Sequence, residues 1–347
     1  MPDASLLVPG TGGTKLLANG DDIGYPVEVQ LRTMLLGYLD RPITDIVELL
    51  SMEHRPGQVA PVLTSRRPAT EIIGGPVLEA AYNQVGHKYL RFSYDWRADL
   101  RHSARHLLDR LIAGKPADGR WRLIGHSQGG LLIAIASKLY AAQMNDDDGS
   151  AFSRLVHSAA LIGTPLHGTL NAAVALAKGE QLGAKASSQF LKVIRTWPAI
   201  HQMLPDFDKA LRRPNGAATP IGLLDDEAWE KDRGLSADML NRARQTHRLF
   251  LRHPFAYMSG VRVGLVLTGN RKTRDHAVLR SSGIEFDGAA AQGDTLVPLR
   301  ATMSRMGAAE MRTLVELSAS QAKNIDVHSL LLTDPYVATL LGKMERL

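Results

Sequence analysis

Residues 123–130, LIGHSQGG, constrain this chain more than any other stretch. Leu123-Ile124 read as the end of a buried strand, and LLIAIASKLYAAQM after Gly130 reads as an apolar helix. Gly-x-Ser-x-Gly between a strand and a helix is a nucleophile elbow, a tight turn that exposes a serine hydroxyl at the end of a sheet. The turn holds the serine backbone in strained geometry, and Gly125 and Gly129 remove side chains that would collide with neighbouring backbone. The N-terminus of the following helix aims N–H groups at Ser127, which suits a reaction that builds negative charge there. A chain with 31 glycines produces such a pentapeptide by chance, so the flanking strand and helix carry the reading against an ordinary structural turn.

The rest of the chain alternates strands and helices around this turn. SLLVPG (5–10) predicts an early strand, ending in the Gly-rich run Thr11 to Lys15. That run has neither the Gly-Lys-Ser/Thr ending of a P-loop nor a G-x-G-x-x-G spacing, so nucleotide binding is disfavoured. It suits the second half of an oxyanion hole, with the Thr11 N–H as candidate donor; a plain Gly-rich turn is the alternative. Residues 27–60 mix helical patterns with breaks, and 77–86 predict a short helix. YLRFSYDWR (89–97) reads as a parallel strand, 99–113 as an amphipathic helix and RLVHSAALIGTP (154–165) as another buried strand. NDDDG (145–149) lacks the ligand spacing of a calcium loop and reads as a solvated turn.

Residues 170–258 change character, becoming rich in Ala, Leu, Lys and Arg and helical in period. They predict a helical cap, taken over 166–258, inserted into a single domain spanning 1–347. Arg244, Arg248 and Arg252 recur every four residues and predict a basic stripe, either a solvated face or a dock for anionic lipid headgroups. Strands resume at 261–270, a hairpin is expected within 277–288, and a last strand at 312–319 precedes a C-terminal helix opened by His328. The alternation predicts an α/β fold with a mostly parallel sheet covered by helices on both faces.

Composition narrows the function. Zero cysteines exclude disulfides, thiolate catalysis and cysteine-ligated metal, and fit a reducing, cytoplasmic setting. The N-terminal MPDASLLVPG has no basic region followed by a long apolar run, so no signal peptide is expected. A net charge of +6 is too diffuse to argue for nucleic acid, though it favours anionic surfaces mildly. No metal or cofactor is expected.

Serine needs a base within hydrogen-bond reach, and the base needs an orienting carboxylate. In the hydrolase order Ser, acid, His, only His328 of the 12 histidines lies beyond the last strand. His126 is the permissive position of the elbow, and His167, near a strand end, has a loop role with substrate contact as the alternative. Asp294, in a Gly-Asp-Thr turn after the strand at 261–270, is the candidate acid. Asp275, Asp287 and Asp326 compete, and Asp326 has a second reading as a helix cap. The expected reaction is acyl transfer, with the N–H groups of Gln128 and Thr11 holding the oxyanion.

VPGTGGTKL, YDWR, GHSQGG, GDTLVP and DVHSLL, in that order, resemble the lecithin:cholesterol acyltransferase-like family of α/β-hydrolases. GTPLHGT is similar to a segment of that family and of GPI inositol-deacylase-like lipases, and WPAIHQMLP looks like its cap stretch. The resemblance implies Ser127, Asp294 and His328 as the triad, Pro9-Gly10-Thr11 as the oxyanion loop, and Trp96 near the acyl site. It favours a lipid ester as substrate, with transfer to an alcohol as the rival to hydrolysis. A catalytically silent scaffold is the rival from another class. The acid motif departs from the family's usual Gly-Asp-Gly-Thr-Val-Pro, and the cysteines of secreted members are missing.

Overall fold

The structure, a computed structural model, describes residues 4–11, 14–18, 21–24, 52, 63–68, 89–179, 188–231, 235–269, 271–286, 290–303 and 314–316, together with 328, 331, 337 and 341. Strands β1 (Ala4–Val8), β2 (Thr14–Ala18), β3 (Asp21–Gly24), β4 (Leu63–Pro68) and β5 (Tyr89–Arg91) come first. Then follow α1 (Leu100–Ala113), β6 (Trp121–His126), α2 (Gln128–Met144) and β7 (Val156–Ile162). Helices α3 (Leu170–Lys178), α4 (Ser188–Ile194) and α5 (Pro198–Gln202), strand β8 (Leu211–Arg212) and helix α6 (Ala237–Thr246) lie between β7 and β9 (Arg262–Leu267). The chain continues through β10 (Arg271–Arg274), β11 (Ala277–Arg280), β12 (Gly283–Glu285), β13 (Ala290–Gly293), α7 (Leu299–Met303) and β14 (Leu314–Glu316).

The central sheet has six strands in the order β14-β9-β7-β6-β1-β5, and every pairing within it is parallel. Parallel strands covered on both faces become unbroken apolar runs, and Leu6, Val8, Leu123, Ala159, Leu161, Val263 and Leu265 are buried. From β1 the chain crosses to β5 on one side, and from β6 it crosses to β7 on the other. That reversal puts a crevice at the carboxyl ends of β1 and β6, where open α/β sheets bind ligands. The loop at Pro9–Thr11 and the elbow at Ser127 both leave the sheet there.

Local chemistry sets the element ends. Strand β5 ends at Arg91, with the Phe92 N–H still on the Leu7 carbonyl at 2.9 Å, and the chain turns at Asp95, which accepts the Arg97 N–H at 3.0 Å and pairs with its guanidinium at 2.6 Å. Asp99 caps α1 through the Arg101 N–H, and Leu100, Ala104, Leu107, Leu108 and Leu111 turn one buried stripe of that helix to the core. α2 is buried nearly all round over Gln128–Ser137, as a helix flanked by sheet and neighbours must be. Pro198 opens α5 as its first residue rather than breaking a helix.

Three expectations are corrected or bounded here. The stretch 170–258 is not wholly helical, since β8 pairs in parallel with β11 and so ties it to the β11–β12 hairpin. The basic stripe does not form as a free face. Arg244 sits 3.7 and 3.6 Å from Asp225 and Asp226 and donates to the Leu224 carbonyl, and a π-helical turn at His247–Leu251 takes Arg248 and Arg252 off its register. The small antiparallel sheet β3-β2-β4 adds strands after the Gly-rich run. The helices expected within 27–60 and at 77–86 lie outside the described residues.

Candidate active site

The elbow is built as its sequence requires. Ser127 has φ 51° and ψ −124°, a conformation that strains any residue with a Cβ. It is held there by its N–H donating to the Ile162 carbonyl at 2.8 Å and by its own carbonyl accepting from the Gly130 N–H at 3.1 Å. A Cβ on Gly129 would lie 2.0 Å from the Val8 carbonyl oxygen, and one on Gly125 2.7 Å from the Gly130 Cα. Helix α2 can approach β1 and β6 this closely only with glycine at both places.

His328 is brought to the same end of the sheet. Its ring sits against Gly163, where a Cβ would meet its Cε1 at 2.9 Å, and 4.9 Å from the ring of His126. His328 Nδ1 lies 2.6 Å from Asp294 Oδ2, with both side chains buried. A carboxylate only accepts, so Nδ1 carries the proton and Nε2 is left free to take one. The other oxygen, Oδ1, accepts the Leu296 and Val297 N–H groups at 3.0 and 2.7 Å.

The remaining acids differ in their surroundings. Asp275 is committed to His276 Nδ1 at 2.8 Å and Arg300 Nε at 3.1 Å. Asp287 and Asp326 lie outside the described residues. His167 is fully buried and its backbone bonds Ala301 and Asp206, a loop position.

His126 has a neutral ring. Burial, then the neighbouring His328, push its pKa down to about 3. Its Nε2 lies 3.2 Å from the His328 carbonyl, an acceptor, so that nitrogen is the protonated one.

Thr11 sits in the loop after β1, and its hydroxyl donates to Gln128 Oε1 at 2.6 Å. Gln128, fully buried, donates from Nε2 to the Trp96 carbonyl at 3.0 Å. Trp96 is 1% exposed and meets Trp197 edge-on at 5.2 Å, so its ring is a core residue packed between the elbow side and the start of α5 and presents no open surface to a substrate.

Sequence reasoning missed the residues that hold the acid loop. Thr169 Oγ1 and Asn171 Nδ2 both donate to the Leu296 carbonyl, and Thr273 Oγ1 accepts the Thr295 N–H at 2.9 Å. The motif GTPLHGT drew attention to His167, whereas its last residue, Thr169, is the one that reaches the loop. Thr295 has φ 82°, which favours glycine and costs a β-branched residue about 1–2 kcal/mol. Thr295→Gly keeps the N–H to Thr273 and should stabilise the fold by about 1 kcal/mol, read as a Tm rise of about 2 °C. A lowered Tm would mean that the threonine side chain outweighs its backbone strain.

Residues 83–242 match the lecithin:cholesterol acyltransferase family, a span that contains Ser127, Gln128 and Trp96 and stops short of Asp294 and His328. No curated protein matches the chain by sequence. Solved structures do. One chain in the crystal structure of the Tle4-Tli4 complex is 10% identical with a TM-score of 0.60, over 100% of this chain and 99% of that one. Mature lipase BlEst2 from Bacillus licheniformis is 10% identical with a TM-score of 0.42, over 98% and 92% of the two chains. The fold is the α/β-hydrolase fold.

Proposed function

We propose that the protein is a serine hydrolase that cleaves acyl esters, with lipid esters as the substrate class, through an acyl-enzyme on Ser127. The observation that carries this reading is the buried 2.6 Å pair of Asp294 and His328 at the end of the sheet where the strained Ser127 turns into α2. Ser127 Oγ attacks the ester carbonyl while His328 Nε2 takes its proton. The N–H groups of Gln128 and Thr11 receive the oxyanion, each contributing roughly 3 to 4 kcal/mol to the lowered barrier. His328 returns the proton to the leaving alcohol, and the acyl-enzyme forms. Water, deprotonated by the same nitrogen, then releases the acid. Asp294 holds the imidazole tautomer throughout.

The lipid assignment rests on the match of residues 83–242. The segment 166–258 serves in this reading as a cap over the acyl groove, and the protein works in the cytoplasm. With Arg244 committed to Asp225 and Asp226, contact with anionic membrane falls to Arg248 and Arg252, which flank the exposed Leu249. A second reading, transfer of the acyl group to an alcohol, is favoured by the same family match.

p-Nitrophenyl esters of increasing chain length and phospholipid vesicles, each with and without an added long-chain alcohol, separate these readings. Release of p-nitrophenol that rises with chain length supports lipid ester hydrolysis. Formation of a new ester at the expense of free acid supports transfer. No turnover of any of them by folded protein would sink both.

A further inference from the structure

We infer that the side chain of Gln128 is a positioning residue, which fixes the two oxyanion donors of the proposed site relative to one another. The inference rests on the serine-hydrolase reading and extends it to a residue otherwise used only through its backbone.

A glutamine side chain buried to 0% exposure must find partners for its amide, because an unmet buried donor or acceptor costs about 1–3 kcal/mol. Here the partners are functional segments. Oε1 accepts the Thr11 hydroxyl at 2.6 Å, and Nε2 donates to the Trp96 carbonyl at 3.0 Å. Thr11 is an exposed residue in a loop beyond the sheet, where a chain free of anchors would swing. The loop is fixed on both sides of Gly10. Tyr94, itself buried, donates from its hydroxyl to the Pro9 carbonyl at 2.8 Å, and Gln128 holds Thr11. Between these anchors the loop lies on the nucleophile, since a Cβ on Gly10 would be 2.8 Å from Ser127 Cβ.

One residue therefore presents an N–H at the helix start and, with its side chain, grips the residue that presents the other. The grip also reaches the cap side of the crevice. The Ala199 N–H donates to the Arg97 carbonyl at 3.1 Å, and Trp96 leans on Trp197 at 5.2 Å, so the Gln128 anchor on Trp96 is itself braced by α5. A hydrogen-bond donor stabilises a transition state only when it is already aimed at the oxyanion, and an error of about 1 Å costs on the order of 10²-fold.

The test is a double-mutant cycle on Thr11 and Gln128, with rates normalised to the serine titrated by a fluorophosphonate. Thr11→Val deletes the hydroxyl at an exposed position and keeps the N–H, so its folding is safe even where Gln128→Leu folds poorly. Both variants should lower kcat by about 10- to 100-fold with KM within about threefold, because the loss falls on the transition state. The double variant should be little worse than either single one. Thr11→Ser, which keeps the hydroxyl, should recover most of the Thr11→Val loss. Wild-type kcat in Thr11→Val overturns the inference while leaving the hydrolase reading intact. So does a Thr11→Val defect that adds in full to that of Gln128→Leu, which would make the hydroxyl an independent donor to substrate. Absence of ester turnover in the wild type would instead remove the reading beneath it.

Discussion

Ser127→Ala should lower kcat by as much as about 10⁶-fold, the scale on which a nucleophile and its base act as one unit. The loss belongs to chemistry and not to folding. Alanine keeps a Cβ at φ 51°, so the strain of the elbow is unchanged, and so are the N–H bond to Ile162 and the carbonyl bond from Gly130. The melting temperature of the alanine variant should therefore match that of the wild type. Ser127→Gly makes the complementary point. It should be as inactive but more stable, by about 1 kcal/mol, because glycine accepts positive φ without strain. A fluorophosphonate probe should label wild type at Ser127 and neither variant, since an activated serine attacks phosphorus as it attacks a carbonyl. Well-folded wild-type protein that takes no label would favour the silent scaffold, whereas a Ser127→Ala variant that retains ester turnover would place the nucleophile elsewhere.

What could be read in the sequence were features whose cause is local. The elbow announces itself because the collisions that demand Gly125 and Gly129 arise within one strand-turn-helix unit and the strand beside it. The parallel sheet is legible because strands buried on both faces need apolar stretches such as Leu123-Ile124 in β6 and Ala159 to Ile162 in β7. The turn at Asp95, by contrast, is made by side-chain bonds to Arg97 that a β-rich composition conceals. The β2–β4 sheet was missed since its register, Lys15 opposite Arg67, joins segments far apart in the chain.

The same distinction runs through the site. His328 was accessible from chain order, yet the clamp of Thr169 and Asn171 on Leu296 spans more than a third of the chain and leaves no local pattern. The arginine stripe failed for a related reason. Spacing by four presumes an α-helix, and neither the π-helical turn at His247–Leu251 nor the acids at Asp225 and Asp226 enter that arithmetic. The Gln128 side chain was invisible because the motif asks only for its backbone.

Asp294→Asn should cost about 10⁴-fold in kcat, the loss seen in an unrelated serine protease when the orienting carboxylate becomes an amide. The surroundings of Asp294 dictate which way such an amide would turn. Two backbone donors, the N–H groups of Leu296 and Val297, point at Oδ1 from 3.0 and 2.7 Å and can be satisfied only by an oxygen. The amide nitrogen must then occupy the place of Oδ2, 2.6 Å from His328 Nδ1. Facing a donor, Nδ1 has to become an acceptor, and the ring proton moves to Nε2. An imidazole with its proton on Nε2 cannot take another from serine there, so the base is disabled while the fold keeps these three bonds, one of them reversed in direction. Asp294→Ala is the less informative variant, because it orphans two buried N–H groups as well as the histidine. Asp326→Asn is the matched control. That residue stands two positions before His328 in sequence, and Nδ1 already has Asp294 as its partner at 2.6 Å, so its variant should lose far less. A crippled Asp326→Asn beside a nearly wild-type Asp294→Asn would reverse the assignment of the acid.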